Sequence, residues 1–348
     1  MKLTTFFGER DRSHGRFLAD ELIDLYERRD VAVSVLLRGA EGFGLRHHLR
    51  TDRLLTLSED LPLLSVAVDR RERIEGLLPP LLELKRKGLI TLERARLLTG
   101  SDEPGAAGED VKLTIYVGRR ELHRRRPMFI AVCRLLQQHD VAGATVLLGV
   151  DGTIDGGRAR ARFFARNADV PVMVTAVMST GQLAGALPNL RRLLPRPMLT
   201  VEQTRICKRD GELLDRPQPA TTGEKHGHAR WQKLTVYTSQ HLSAEGPPAH
   251  SEMVRRLRDA GGSGATNLRG IWGFHGDHAA HGDKLLQLRR HAPVVTIIID
   301  APERIASAFA IVDELTPEHG LVTSDAVPAL LAISETERRG GLQLFDDA

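Results

Sequence analysis

Cysteine is nearly missing: Cys133 and Cys207 are the two in 348 residues. Two thiols cannot build a disulfide framework or a four-thiolate metal centre, so both are expected to be buried and inert. Aromatic side chains make up 4% of the chain, which leaves its cores to aliphatic residues. Long apolar runs are lacking too. The longest, near Val294 to Ile299, is strand length, far short of the roughly 20 residues a membrane-spanning helix needs. The opening Met1-Lys2-Leu3-Thr4-Thr5 enters patterned sequence at once, without the apolar block of a secretory signal, so a cytoplasmic protein is expected. A nucleophile elbow, a phosphate-cradling lysine loop, a dinucleotide fingerprint and an HExxH pair are all absent, and the chain is expected not to be an enzyme.

What is present is the composition of an ordinary globular protein, 41% hydrophobic and 27% charged, with a net charge of +4. The excess of arginine favours an anionic partner weakly. Arg119-Arg120 and Arg124-Arg125-Arg126 read either as phosphate contacts or as solvated surface.

The chain repeats itself. Lys2-Leu3-Thr4-Thr5-Phe6-Phe7-Gly8 returns as Lys112-Leu113-Thr114-Ile115-Tyr116-Val117-Gly118 and as Lys233-Leu234-Thr235-Val236-Tyr237-Thr238, at offsets of 110 and 121 residues. Arg38-Gly39, Leu148-Gly149 and Arg269-Gly270 keep those offsets, and a proline opening an apolar run recurs at Pro62, Pro171 and Pro293 with one-residue slips. Three landmarks in register make three diverged copies of one unit of about a hundred residues.

Each copy reads as strand, helix, strand, strand, helix, strand. The opening segments alternate and are rich in Thr, Val, Ile and aromatics. Leu18, Leu22 and Leu25 share a helix face. Second strands are expected at Val31 to Leu37, Ala144 to Leu148 and Ala265 to Leu268, and third strands at Leu61 to Val68, Val170 to Val177 and Val294 to Ile299. Asp69 is expected to cap a helix with the stripe Ile74, Leu77, Leu78, Leu81 and Leu82, ended by Gly88. Thr91 to Leu98 supplies a fourth strand, and Pro79 and Pro188 predict kinks in the first two copies. The fold class is therefore α+β, three tandem ferredoxin-like βαββαβ domains with both helices on one sheet face.

The bare sheet faces, carrying Thr4, Phe6, Thr114, Tyr116, Thr235 and Tyr237, need a cover. Packing as an intrachain pseudo-trimer supplies one and closes the sheet edges, whereas three beads on a string would not. Domains are expected at 1–100, 111–208 and 231–335, with linkers 101–110 and 209–230 and a tail 336–348. At about 3.3 Å per extended residue the shorter linker reaches a neighbouring domain.

These residues resemble the PII-like family classed as domain of unknown function 190. The match rests on Lys2-Leu3-Thr4 with Gly8-Glu9-Arg10, on Arg38-Gly39-Ala40-Glu41-Gly42-Phe43-Gly44, on Leu57-Ser58-Glu59-Asp60-Leu61-Pro62 and on Gly88-Leu89-Ile90-Thr91. The third copy keeps Arg269-Gly270-Ile271-Trp272-Gly273-Phe274, while the second, Leu148-Gly149-Val150-Asp151-Gly152-Thr153, lacks the arginine and the aromatic. The resemblance implies a ferredoxin-like fold related to PII signalling trimers, an adenine nucleotide in clefts between units, and a long loop that touches a regulated protein target such as a membrane channel or transporter.

The base of the long loop after Arg38 is the best site candidate. Arg38 beside Gly39, Gly42, Phe43 and Gly44, and Arg269 beside Gly270, Gly273 and Phe274, bring a guanidinium and bare backbone together, as a small anionic ligand requires. The competing reading gives the glycines to turns and the arginines to neighbouring acids. Because the second copy lacks the arginine, fewer than three ligands per chain are expected. His275, Asp277, His278 and His281 form a second candidate, a divalent metal site. The leading expectation is a non-enzymatic sensor of a small anionic ligand. The alternatives are a single-stranded RNA-binding array, which needs Phe6, Tyr116 and Tyr237 exposed, and a metal-binding protein.

Overall fold

The structure is a computed structural model that describes residues 1–44, 49–51, 60–85, 87–98, 109–154, 156–159, 170–218, 231–239, 247–275, 281–282, 292–334 and 337–344. Each unit opens with a central strand: Lys2–Gly8, Asp110–Gly118 and Trp231–Ser239. Alternation splits these strands between two interiors. Leu3, Leu113 and Leu234 join the helix-side core of their own unit, while Tyr116 and Tyr237 turn to the opposite side. The helix pairs are α1 (Leu18–Arg28) and α2 (Arg71–Leu84), α3 (Met128–Gln137) and α4 (Thr180–Leu193), and α5 (Ala249–Asp259) and α6 (Pro302–Leu315).

Leu18, Leu22 and Leu25 are buried on α1 as their spacing predicts. Ile74, Leu77 and Leu81 are buried on α2, which runs through Pro79 and Pro80 as one helix, as α4 runs through Pro188. Asp69 does not cap α2. Its carboxylate accepts from Ala32 N at 2.9 Å and Arg70 N at 2.7 Å, tying the helix start to the second strand. In the second unit Ser179 and Gln182 form a reciprocal capping box on α4, a feature worth about 1 kcal/mol.

Within every unit the sheet runs second, third, first, fourth strand, antiparallel throughout. The repeat holds in register: Thr4 faces Thr91, Thr114 faces Thr200 and Thr235 faces Thr323. The strand expected over Thr91 to Leu98 is instead two. Gly88–Glu93 completes the first sheet, and Arg96–Leu98 leaves it to pair with Met198–Gln203 of the second unit.

That departure recurs. Arg205–Arg209 follows the second unit and pairs with Leu321–Val327 of the third, and Ala329–Ile333 follows the third and pairs with Gly88–Glu93 of the first. The opposite edges are joined in the reverse sense. The far end of Val33–Phe43 pairs with Ala265–Arg269, Trp272–His275 pairs with Gly143–Leu148, and Asp151–Ile154 pairs back onto the near end of Val33–Phe43. Both edges of each unit are thus covered by a strand of another unit, which removes the unpaired backbone an isolated sheet exposes. The three bare faces meet in a shared interior that includes Val35, Leu37, Val66, Tyr116, Tyr237 and Val295.

Candidate functional site

The repeated glycines mark where one unit crosses onto the next. A Cβ on Gly39 would lie 2.7 Å from Pro62 Cγ, and one on Gly270 would lie 2.6 Å from Pro293 Cγ. At the second position of the motif the obstacle is the neighbouring unit's backbone: Ala265 O at 2.6 Å for Gly42 and Ala144 O at 2.6 Å for Gly273, with Ser34 O closer still for Gly152. Bare backbone is needed here to seat a strand from another unit. The aromatic that follows is a knob. Phe43 is buried in the core of the third unit and Phe274 in that of the second. Thr153 holds the same position in the second copy and instead bonds Ser34 of the first unit, hydroxyl to hydroxyl at 2.9 Å.

Arg38 is exposed and pairs with Glu9 at 2.9 Å, and Arg269 is exposed at the equivalent strand end. The first and third units line an open cavity of about 590 Å³ beside Gly42, Phe43 and Gly44. Its apolar walls come from both units, with Phe6 and Leu89 on one side and Trp231, Ile297, Ile299 and Leu330 on the other.

The polar end lies at the close of the first strand. Gly8 N donates to Asp11 Oδ2 at 3.0 Å, and Lys87 pairs with Asp11 Oδ1 at 2.8 Å. Arg50 pairs with Asp60 at 2.9 Å, and Asp60 also accepts from Arg10 N at 2.8 Å. The Asp60 carboxylate and the Arg50 guanidinium close over Gly8, within 2.8 Å of where a Cβ would lie.

Behind this end sits Lys85, fully buried, donating to Phe6 O at 2.7 Å with its nitrogen 5.4 Å from the Phe7 ring centre. Burial first, with Lys87 and Arg50 adding to it and Asp11 opposing, pushes its amine down to about 7. Counting eight residues back from Glu202 and Asp325, as from Glu93 to Lys85, reaches Leu194 and Pro317. A lysine at this position of the repeat occurs in the first unit alone of the three.

A second polar constellation joins all three units. Lys2 faces Glu93 at 3.0 Å and also contacts Glu202; Lys112 faces Glu202 at 3.2 Å and Asp325 at 2.8 Å; Lys233 faces Asp325 at 3.0 Å and closes the ring on Glu93. All six side chains are buried. Burial alone would raise the carboxylates, but the flanking lysines hold Glu93, Glu202 and Asp325 below the ordinary range. Burial likewise opposes charge on Lys112 and Lys233, yet Asp325 for the one and Glu93 for the other keep both above the usual lysine value. For Lys2 burial prevails over Glu202 and Glu93, and its amine is lowered. The lysines were visible as the first residue of each repeat, whereas their acidic partners stand alone in sequence 90 to 92 residues later.

At the junction of the second unit with the first, a hairpin of Asp151–Ile154 and Gly157–Arg158 folds against α1. Arg158 there pairs with Asp151 at 2.7 Å, with Asp20 at 3.5 Å and with Asp24.

Of the proposed metal ligands, Asp277 and His278 lie outside the described residues, and only the backbone of His275 and His281 is described, in short strands. Among the described residues no group of three or more His, Cys, Asp or Glu is placed to hold a metal. Both cysteines are buried, and burial pushes their thiols up. No described helix is long and apolar enough to cross a membrane. Tyr116 and Tyr237 are 3% exposed, so the sheet faces on which an RNA-binding array would stack bases are closed at those two positions.

Comparison with known proteins agrees with the repeat. The family DUF190, described as "Uncharacterized ACR", matches residues 1–97, 110–206 and 231–329. A UPF0166 protein of Aquifex aeolicus (strain VF5) is 35% identical over 98 residues, which is 28% of this chain and 90% of that protein. A UPF0166 protein of Methanocaldococcus jannaschii is 27% identical over 99 residues, 28% of this chain and 91% of that protein. Each relative spans about one unit of the present chain.

Proposed function

Since the chain belongs to the DUF190 family in each of its three units, we propose that it is a PII-like sensor, a pseudo-trimer of ferredoxin-like units in one polypeptide. In this reading it catalyses no reaction. It binds a small anionic ligand, an adenine nucleotide, between units and relays occupancy through its long loops to a protein target such as a membrane channel or transporter.

The cavity between the first and third units carries the reading. Its apolar walls suit a flat ring, and Arg50 and Lys87 stand at one end, paired with Asp60 and Asp11 and backed by the buried Lys85, where phosphates would replace those carboxylates as partners. Lys85 supports it further. An amine buried where the other units have leucine and proline costs stability, and such costs concentrate where a ligand is bound. The cyclic exchange of strands supports the pseudo-trimer, because it closes every unit on two others in a consistent sense.

The test is calorimetry and thermal shift with ATP, ADP and AMP. Binding should raise the melting temperature, and Lys87→Ala and Arg50→Ala should each weaken affinity by about tenfold or more. Arg38→Ala, at a side chain that does not line the cavity, should change it little. Absence of binding by all three nucleotides would overturn the reading.

A further inference from the structure

Five arginines stand within residues 119–126 of the second unit, and all five are exposed. Three of them belong to a hairpin in which Leu122–His123 pairs with Arg126–Pro127, so that Arg124 and Arg125 form its tip. Both tip residues lie in the left-handed region, at φ 47° and 66°. The first unit makes the same turn with His14 and Gly15, a pair better suited to it. Two arginines held at positions that favour glycine or asparagine point to a selected display of charge.

The two hairpins differ most in what faces them. In the first unit Arg12 lies over the Phe17 ring at 4.3 Å, and Arg16 pairs with Glu21 at 2.7 Å and Asp24 at 2.9 Å on α1. The counterparts of those acids on α3 are Ala131 and Arg134, and α3 carries no acidic residue. Among the described residues, none of Arg124, Arg125 and Arg126 has a carboxylate within ion-pair distance. Leu122 stands among these charges, 60% exposed, more than any other large hydrophobic described.

We propose that this hairpin docks on an anionic phospholipid surface, its guanidinium groups on headgroup phosphates and Leu122 at the boundary of the acyl region. An apolar side chain at the centre of a basic cluster fits a membrane better than an acidic protein face. The segment has no Phe, Tyr or Trp on which a single-stranded RNA would stack. The inference is independent of the nucleotide reading.

Vesicle flotation with the full chain tests it, using phosphatidylcholine alone and phosphatidylcholine mixed with phosphatidylglycerol. The protein should float with the mixed vesicles and not with the neutral ones. At about 1 kcal/mol per arginine, R124E/R125E/R126E should lower binding by well over tenfold, and Leu122→Ser should lower it several-fold. R124N/R125G gives the turn its preferred residues, so it should melt no lower than the parent and still bind less. Failure to float with anionic vesicles, flotation of the triple variant equal to the parent, or binding of single-stranded RNA without flotation would each overturn the proposal.

Discussion

Val33–Phe43 crosses from the first unit to the third beside an open cavity, and Asp151–Ile154 makes the matching crossing from the second unit to the first inside a closed hairpin. The backbone solution is shared, since Gly42 and Gly152 each let a neighbouring strand approach. The side chains divide the two. At the first junction Phe43 fills the third unit's core, and Gly44 is exposed with nothing within 4 Å of its would-be Cβ. At the second, a hydroxyl pair replaces the aromatic, Ile154 packs on the shared interior, and Arg158 is clamped by three carboxylates. One crossing thus serves both as the seam between units and as the wall of a site, and which of the two it becomes depends on a few residues after the glycine.

Breaking what the junctions hold in common should have the largest effect. Lys112→Met leaves Glu202 and Asp325 each short of one buried cation, and a loss of about 3–5 kcal/mol is expected in denaturant unfolding, since an uncompensated buried charge remains. The ring also sets the acid limit. Its carboxylates titrate lower in the folded chain than in the unfolded one, so their contribution is complete above about pH 5 and is lost progressively as the pH falls from there toward their folded values. Lys112→Met should flatten that acid dependence.

Exchanging the features that differ comes next. Phe43→Thr imposes the second unit's residue on the first and empties a place in the third unit's core, for an expected loss of about 3 kcal/mol together with weaker nucleotide binding. Arg158→Ala leaves the buried Asp151 without its cation and should cost about 1–3 kcal/mol while leaving nucleotide affinity as it was. Equal effects of the two variants on binding would erase the distinction between the junctions.

The smallest change has the opposite sign. Lys85→Leu copies Leu194 and should stabilise the protein by about 1–2 kcal/mol at pH 7. The folded amine titrates near 7 and the unfolded one near 10.5, so the unfolded chain holds the extra proton between those values and stability rises with pH across that window. The variant should lose this rise and should bind nucleotide less well. Melting curves at pH 7 and pH 10 measure the difference.

The triple Lys-Leu-Thr, the helix stripe Leu18, Leu22, Leu25 and the order of elements were legible in sequence because local periodicity encodes them. The exchange of strands was not. Arg96–Leu98 is three residues long and pairs about a hundred residues away, which no local pattern reveals. The second role of the motif is equally hidden from local pattern: Gly39 and Gly42 admit a strand from another unit and Phe43 fills that unit's core, while Gly42, Phe43 and Gly44 also border the cavity and Arg38 pairs with Glu9. Lys85 gave no signal at all, since a lysine after a helix normally reads as solvated.

The most direct test is the stoichiometry of adenine nucleotide binding by calorimetry on the intact chain. One nucleotide per chain is expected, because the end with Lys85 and Lys87 is built in the first unit, where the other two have Leu194 with Arg196 and Pro317 with His319. Three equivalent sites, or none, would contradict it.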